Sequence, residues 1–203
     1  MKKFLCTLMM LTCGWAANAE LITSLTDGTS LVIPASNLFT NGPVDGDGFT
    51  WSSTNTGSVY GFTGGYGLGN NGGWDSSLGF PYMGLNTSSG AMTISFDTAV
   101  SSVLGFFNYA PNFGGTTIAI FDTSNNLLES FTLSFATSGS NQGQYLGFAR
   151  LSNQIGSLVM TNGYIVGADF SVSSMSSVPR VPEPGTLGIF GLALLVMRRL
   201  RRS

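Results

Sequence analysis

Histidine is absent from this chain, lysine occurs only at Lys2 and Lys3, and cysteine only at Cys6 and Cys13. These absences remove whole classes of chemistry. Without histidine there is no Ser-His-Asp or Cys-His triad and no imidazole-ligated zinc. Once the first 19 residues are cut away, as argued below, no lysine remains for a Schiff base. No thiol remains for a disulfide, a nucleophile or a thiolate metal site. Charge is scarce too: Asp, Glu, Lys and Arg make up 9% of 203 residues, against about 25% in an ordinary soluble domain. Between residues 20 and 181, Arg150 and Arg180 face nine carboxylates, a net charge of −7. Such a surface repels phosphate backbones and excludes nucleic acid as a partner.

The remaining positive charge sits at the two ends. Lys2 and Lys3 precede an apolar run, "FLCTLMMLTCGWA", too short to span a membrane well. Ala17-Asn18-Ala19 then supplies small residues at the spacing a signal peptidase reads, so cleavage is expected before Glu20. Residues 1–19 read as a signal peptide rather than an uncleaved anchor. Cys13 lies inside the apolar run after Met-Leu-Thr, a poor context for lipidation.

At the other end, "VPEPG" leads into an apolar stretch over residues 185–197, followed by Arg198, Arg199, Arg201 and Arg202. As a helix that stretch would run about 20 Å at 1.5 Å per residue, short of about 30 Å of hydrocarbon. Arginine stems can extend the span by reaching to the headgroups, and a cluster of arginines marks the cytoplasmic side. The expectation is one short transmembrane helix over 185–197 with its tail in the cytoplasm. The alternative is a buried core helix. Pro182 and Pro184 stop the helix from extending backwards and hold Glu183 in an extended stretch.

Pro182-Glu183-Pro184, the short apolar segment and the arginine cluster together resemble the PEP-CTERM sorting signal, over residues 178–203. The same tail is also labelled an ice-binding protein C-terminal domain, a label that carries no antifreeze activity. The resemblance implies recognition by an exosortase, a membrane cysteine protease-transpeptidase of Gram-negative bacteria. It implies transient anchoring in the inner membrane, then delivery to the cell surface or the extracellular polysaccharide matrix. Pro182, Glu183 and Pro184 would form the recognition element and Arg198, Arg199, Arg201 and Arg202 the stop-transfer cluster. Nothing about the cargo's activity follows from it.

The body, residues 20–177, shows many short runs rich in β-branched and aromatic residues, among them "AMTISFD", "SVLGFFNY", "TTIAIFD" and "YIVGADFSV". Apolar and polar positions alternate in several of them, as in half-buried strands. "TTIAIFDTSNNLLESFTLS" reads as a hairpin, with Ile118 and Ile120 on one face and Leu128, Ser130 and Thr132 sharing a face of the partner strand. No long helical period precedes the tail. The fold class expected is all-β, a β-sandwich of jelly-roll type.

Residues 41–81 differ, with glycines packed between Tyr60, Phe62, Tyr66, Trp74 and Phe80. One reading is a sugar-binding platform in which rings stack on Tyr66 or Trp74 while Asn70, Asn71 and Asp75 bond hydroxyls. The other is a glycine-rich loop whose aromatics cover an edge of the sandwich. "VDGDGFTW" places Asp45 and Asp47 two apart, a spacing that can share a Ca²⁺ ion, although it lacks a full EF-hand loop and also suits a solvated turn. No other cofactor is implied. Glycoside hydrolysis would need two facing carboxyls, for which Asp97, Asp122, Glu129 and Asp169 are available, with Arg150 as a partner for one of them. Asp is expected at strand ends and turns in any case. The expectation is therefore a non-catalytic surface or matrix protein, with a carbohydrate- or Ca²⁺-binding adhesion module as the alternative and a glycosidase the weakest reading.

Overall fold

The computed structural model describes residues 19–175. The expected signal peptide up to residue 18 and the sorting segment from residue 178 lie outside them. Within the described residues run sixteen strands and three short 3-10 turns. The first eight strands are β1 (Glu20–Ile22), β2 (Thr29–Ser30), β3 (Leu38–Phe39), β4 (Val44–Asp45), β5 (Phe49–Ser53), β6 (Val59–Phe62), β7 (Tyr66–Gly67) and β8 (Gly73–Trp74). Then follow β9 (Tyr82–Gly84), β10 (Ala91–Val100), β11 (Ser102–Asn108), β12 (Thr117–Phe121), β13 (Leu127–Thr132), β14 (Gln144–Ala149), β15 (Ile155–Thr161) and β16 (Val166–Ser173).

Fourteen of these strands form two antiparallel layers, and β7 and β8 pair in a separate two-stranded sheet. One sheet runs β1-β14-β11-β16-β9-β6-β3, with β2 also paired to β16; the other runs β13-β12-β15-β10-β5-β4. From β9 onward the chain crosses between layers at every step except the β12–β13 hairpin, ordered 9-16-11-14 in one and 10-15-12-13 in the other. That is the order of an eight-stranded jelly roll, as the alternating pattern led us to expect. The earlier strands extend both sheets.

The main core lies between the layers. Met92, Ile94 and Phe96 alternate inward along β10, while Thr93, Ser95 and Asp97 face outward. Trp51 and Phe49 of β5, Ile118 and Ile120 of β12, and Leu158 and Met160 of β15 join them from the same layer. Tyr60, Met83, Val103, Phe107, Phe148 and Phe170 meet them from the other. Each such side chain contributes about 1.5–3 kcal/mol by leaving water, which is what a body without disulfides must rely on.

The β12–β13 hairpin forms as expected at Asp122–Asn126. The Asp122 carboxylate accepts from the Ser124 and Asn126 N–H groups, both at 2.8 Å. One expectation needs correction. Ile120 pairs with Glu129 and Phe121 with Leu127, so Leu128 is the extra residue of a bulge. It turns to the core beside Phe131, while Ser130 and Thr132 stay exposed. Leu128 therefore does not share their face.

The larger sheet has a second, smaller core on its outer side. Residues 63–81 leave β6, fold back over that face through β7, β8 and two 3-10 turns, and return as β9. Gly61 starts the excursion: its φ of 61° makes a bulge that turns Phe62 to the outer face while Tyr60 stays inward. At the far end, Asn153 clips the chain where it leaves β16. Its Oδ1 accepts from the Met175 N–H at 2.7 Å and its Nδ2 donates to the Met175 carbonyl at 3.1 Å.

Candidate functional site

The outer face of the larger sheet carries a row of aromatic residues set by strand register. Tyr145 of β14 pairs with Phe106 of β11, Phe106 with Ala168 of β16, Ala168 with Tyr82 of β9, and Tyr82 with Phe62 of β6. Phe39 of β3 closes the row, its ring edge-on to Phe62 at 5.4 Å. The glycine-rich excursion covers the centre. Trp74 lies flat on Phe106, ring centroids 5.5 Å apart and planes at 5°, with its edge to Tyr82 at 5.4 Å.

Trp74 is 1% exposed, and its Nε1 donates to the Gln142 carbonyl at 2.8 Å. With both ring faces covered it offers no surface to a sugar; it acts as a cover, but over the face of the larger sheet and not over an edge of the sandwich. Asn71 is also buried. Its Nδ2 reaches Asn108 Oδ1 at 3.3 Å, and its Oδ1 accepts from the Thr137 N–H at 3.2 Å. Asp75 caps the 3-10 turn Ser76–Leu78, accepting from the Ser77 N–H at 2.8 Å, from the Ser77 hydroxyl at 2.6 Å and from Asn141 Nδ2 at 2.9 Å. The Ser77 hydroxyl first, then Asn141, hold its carboxyl below the usual range. These three residues are engaged with the protein itself, which is why a platform built on them does not form. Asn70 alone of the polar set is exposed.

Tyr66 is different. It is 9% exposed and lines a pocket of about 230 Å³ together with Phe39, Val59, Phe62, Gly65, Gly67, Asn86 and Tyr164. Its hydroxyl oxygen accepts from the Asn86 N–H at 2.7 Å, and burial raises its pKa. Phe39 stands 64% exposed at the rim. Tyr164 forms another wall, its ring against Phe113 at 4.9 Å. The other end of the row is exposed too: Tyr145 donates to Asp169 Oδ2 at 2.6 Å, and that bond, with some burial, pushes its pKa up to about 12.

Asp45 ends β4 and Asp47 sits in the turn to β5, both exposed. Asp45 Oδ1 accepts from the Thr50 hydroxyl at 3.0 Å. The "DGDG" segment is thus a hairpin turn, closed by the Gly46 N–H on the Phe49 carbonyl at 2.7 Å. No group of three His, Cys, Asp or Glu placed to hold a metal occurs among the described residues. The acidic residues weighed for hydrolysis are spread out. Asp97 is on β10, Asp122 in the β12–β13 turn, Glu129 on β13 and Asp169 at a bulge of β16 in the other sheet. Asp122 does share one shallow polar pocket of about 360 Å³ with Arg150, Asn153 and Gln154. There Arg150 Nε donates to Gln154 Oε1 at 2.9 Å and not to a carboxylate.

Ala17, Pro182, Glu183, Pro184, Arg198, Arg199, Arg201 and Arg202 lie outside the described residues; Ala19 packs partly buried against the main core. Among the described residues no helix is long and apolar enough to cross a membrane. Phe39, Asn86 and Tyr164 were not singled out from the sequence. The signal available was "NGY" at 162–164, an Asn-Gly turn running into an aromatic residue.

Residues 180–202 match the family model for the PEP-CTERM protein-sorting motif. The chain therefore carries a protein-sorting motif of that family in this segment. No curated protein sequence matches this chain. Among solved structures it is similar to a mutant of the lectin binding domain of Lectinolysin complexed with Lewis b. That likeness has 9% identity and a TM-score of 0.33, over 47% of this chain and 72% of that one. It is also similar to a mutant of CBM29-2, a family 29 carbohydrate binding module, complexed with mannohexaose. Here identity is 12% and the TM-score 0.35, over 73% of this chain and 94% of that one. Likenesses at these scores bear on no site.

Proposed function

We propose that this is an exported, non-catalytic protein of the cell surface or extracellular matrix. A signal peptidase frees it at Ala19, the segment 185–197 holds it transiently in the inner membrane, and an exosortase acts at Pro182-Glu183-Pro184. The observation that carries this reading is the sorting motif at residues 180–202, attached to a body without histidine, lysine or cysteine. The intact mass of the protein recovered from cell surface and medium tests it. The expected product starts at Glu20 and has lost the residues beyond roughly Pro182. A full-length product, soluble in the cytosol with both ends intact, would refute it.

A second reading, compatible with the first, is a carbohydrate-binding adhesion module in contact with extracellular polysaccharide. What favours it is the uncovered end of the aromatic row, where Phe39 exposes most of its ring beside an uncharged pocket. A glycan array run with and without EDTA separates binding from inert structure: a saturable hit supports the module, and none removes it.

A further inference from the structure

The pocket between Phe39, Phe62, Tyr66 and Tyr164 has four features in common with a built ligand site. First, its walls are aromatic on several sides, yet none of its lining residues is charged, in a body whose net charge is −7. That favours a neutral ligand with an apolar face over an anion. Second, it keeps polar handles. The Tyr66 oxygen is occupied by the Asn86 N–H, which leaves its own proton to donate, and among the described residues neither that proton nor the Tyr164 hydroxyl has an acceptor.

Third, two of the lining residues are bare backbone. A Cβ added at Gly65 or Gly67 would meet nothing within 4 Å, and neither residue has a left-handed φ that would demand glycine. Their missing side chains keep the mouth open. Fourth, Tyr164 holds a φ of 51°, an outlying conformation for an aromatic residue. The structure over-determines it. Asn162, Gly163 and Tyr164, all with positive φ, donate their N–H groups to the carbonyls of Gly90, Ser88 and Thr87, at 3.0 Å each. Held backbone strain of this kind clusters at ligand clamps.

From the juxtaposition of Phe39, Tyr66, Asn86 and Tyr164 around this uncharged pocket, we propose that it binds one neutral sugar ring of an extracellular polysaccharide. The volume of about 230 Å³ falls below the roughly 300–1,000 Å³ of pockets for drug-sized ligands, and so suits a single ring. The ring's C–H face lies against Phe39 or Tyr164, and its hydroxyls meet Tyr66, Asn86 and the glycine backbone. The proposal rests on the sugar-binding reading above and places that site away from Trp74 and Asp75.

Affinity electrophoresis of the processed protein tests it, in gels containing neutral glucans, mannans or galactans, with alginate as the charged comparison. At least one neutral polymer retards the wild type, and alginate does not. Phe39→Ala and Gly67→Phe each weaken that retardation at least tenfold with an unchanged melting temperature, while Tyr145→Ala, at the other end of the row, leaves it intact. Retardation that survives both pocket variants overturns the pocket assignment but leaves the sugar-binding reading standing. Absence of retardation by every neutral polymer removes both. Displacement by tetramethylammonium rather than by free hexose assigns the aromatic walls to a cation and also overturns the proposal.

Discussion

Asn108 offers a direct test of how the glycine-rich excursion is held. It is fully buried at the end of β11. Its Nδ2 donates to the Gln142 carbonyl at 2.8 Å and to the Asn71 carbonyl at 3.2 Å, and its Oδ1 accepts from the Tyr109 N–H at 2.8 Å. One amide thus ties the sheet to the excursion and to the loop before β14. In Asn108→Ala the Tyr109 N–H loses its acceptor outright. The Asn71 carbonyl keeps Thr137 Oγ1 and the Gln142 carbonyl keeps Trp74 Nε1. One buried group is therefore orphaned and the two carbonyls are weakened, as are Asn71 Nδ2, which keeps only the Phe135 carbonyl at 3.5 Å, and Thr137 Oγ1, which loses a donor. At about 1–3 kcal/mol per unsatisfied group, the expected loss is about 2–4 kcal/mol. For a domain of this size that is a drop in Tm of roughly 5–15 °C, at about 2–4 °C per kcal/mol. Urea and thermal unfolding, followed by tryptophan fluorescence, measure it. A loss under about 1 kcal/mol would mean that water replaces the amide, and that the excursion is held by its aromatic packing alone.

Other outcomes follow from the same geometry. Among the described residues Tyr60 Oη is buried without a hydrogen-bond partner, so Tyr60→Phe should stabilise the body by about 1 kcal/mol in thermal unfolding; a destabilised variant refutes that. Burial raises the Tyr66 and Tyr82 phenols, and the bond to Asp169 with burial raises Tyr145 to about 12. Folded phenols then keep protons that the unfolded chain sheds near pH 10, so stability should be complete below about pH 10 and fall from there toward pH 12. Asp75 and Asp122, lowered chiefly by bonds from Ser77 and Asn126, shift stability the other way, with a loss below about pH 4. Urea unfolding midpoints across pH check both arms; a flat profile contradicts them. Finally, the Asp45→Asn, Asp47→Asn double variant should unfold at the wild-type temperature, and so should the wild type in EDTA. A chelator-sensitive Tm would restore the Ca²⁺ site.

β5 and β6, inside the stretch 41–81 read as platform or loop, were not recognised; the strands from β10 to β16 were legible because each carries its own pattern: Met92, Ile94 and Phe96 alternate inward whatever they pair with. Register was not, because it belongs to two strands at once, and so the bulge that moves Leu128 could not be read from one of them. The fate of Trp74 turned on the same kind of information. A tryptophan among glycines suits a platform or a lid equally well. The deciding fact lay elsewhere, in runs such as "SVLGFFN" that are apolar on both faces, a pattern of strands covered on two sides. The pocket residues Phe39, Tyr66 and Tyr164 come from three distant stretches, and only the fold brings them together.

If the segment 185–197 anchors the chain as proposed, the clip at Asn153 and Met175 sets how far the globule could stand from that attachment. Six residues, 176–181, separate Met175 from Pro182, a leash of about 20 Å when fully drawn out. That is hardly longer than the radius of gyration of such a body, about 15 Å. On the proposed function, a sandwich still joined to its tail would sit close against the bilayer, and the cutting enzyme would have to work in the gap beneath it. Under that proposal, loosening the clip would lengthen the leash, and the grip of one asparagine would set the clearance for release.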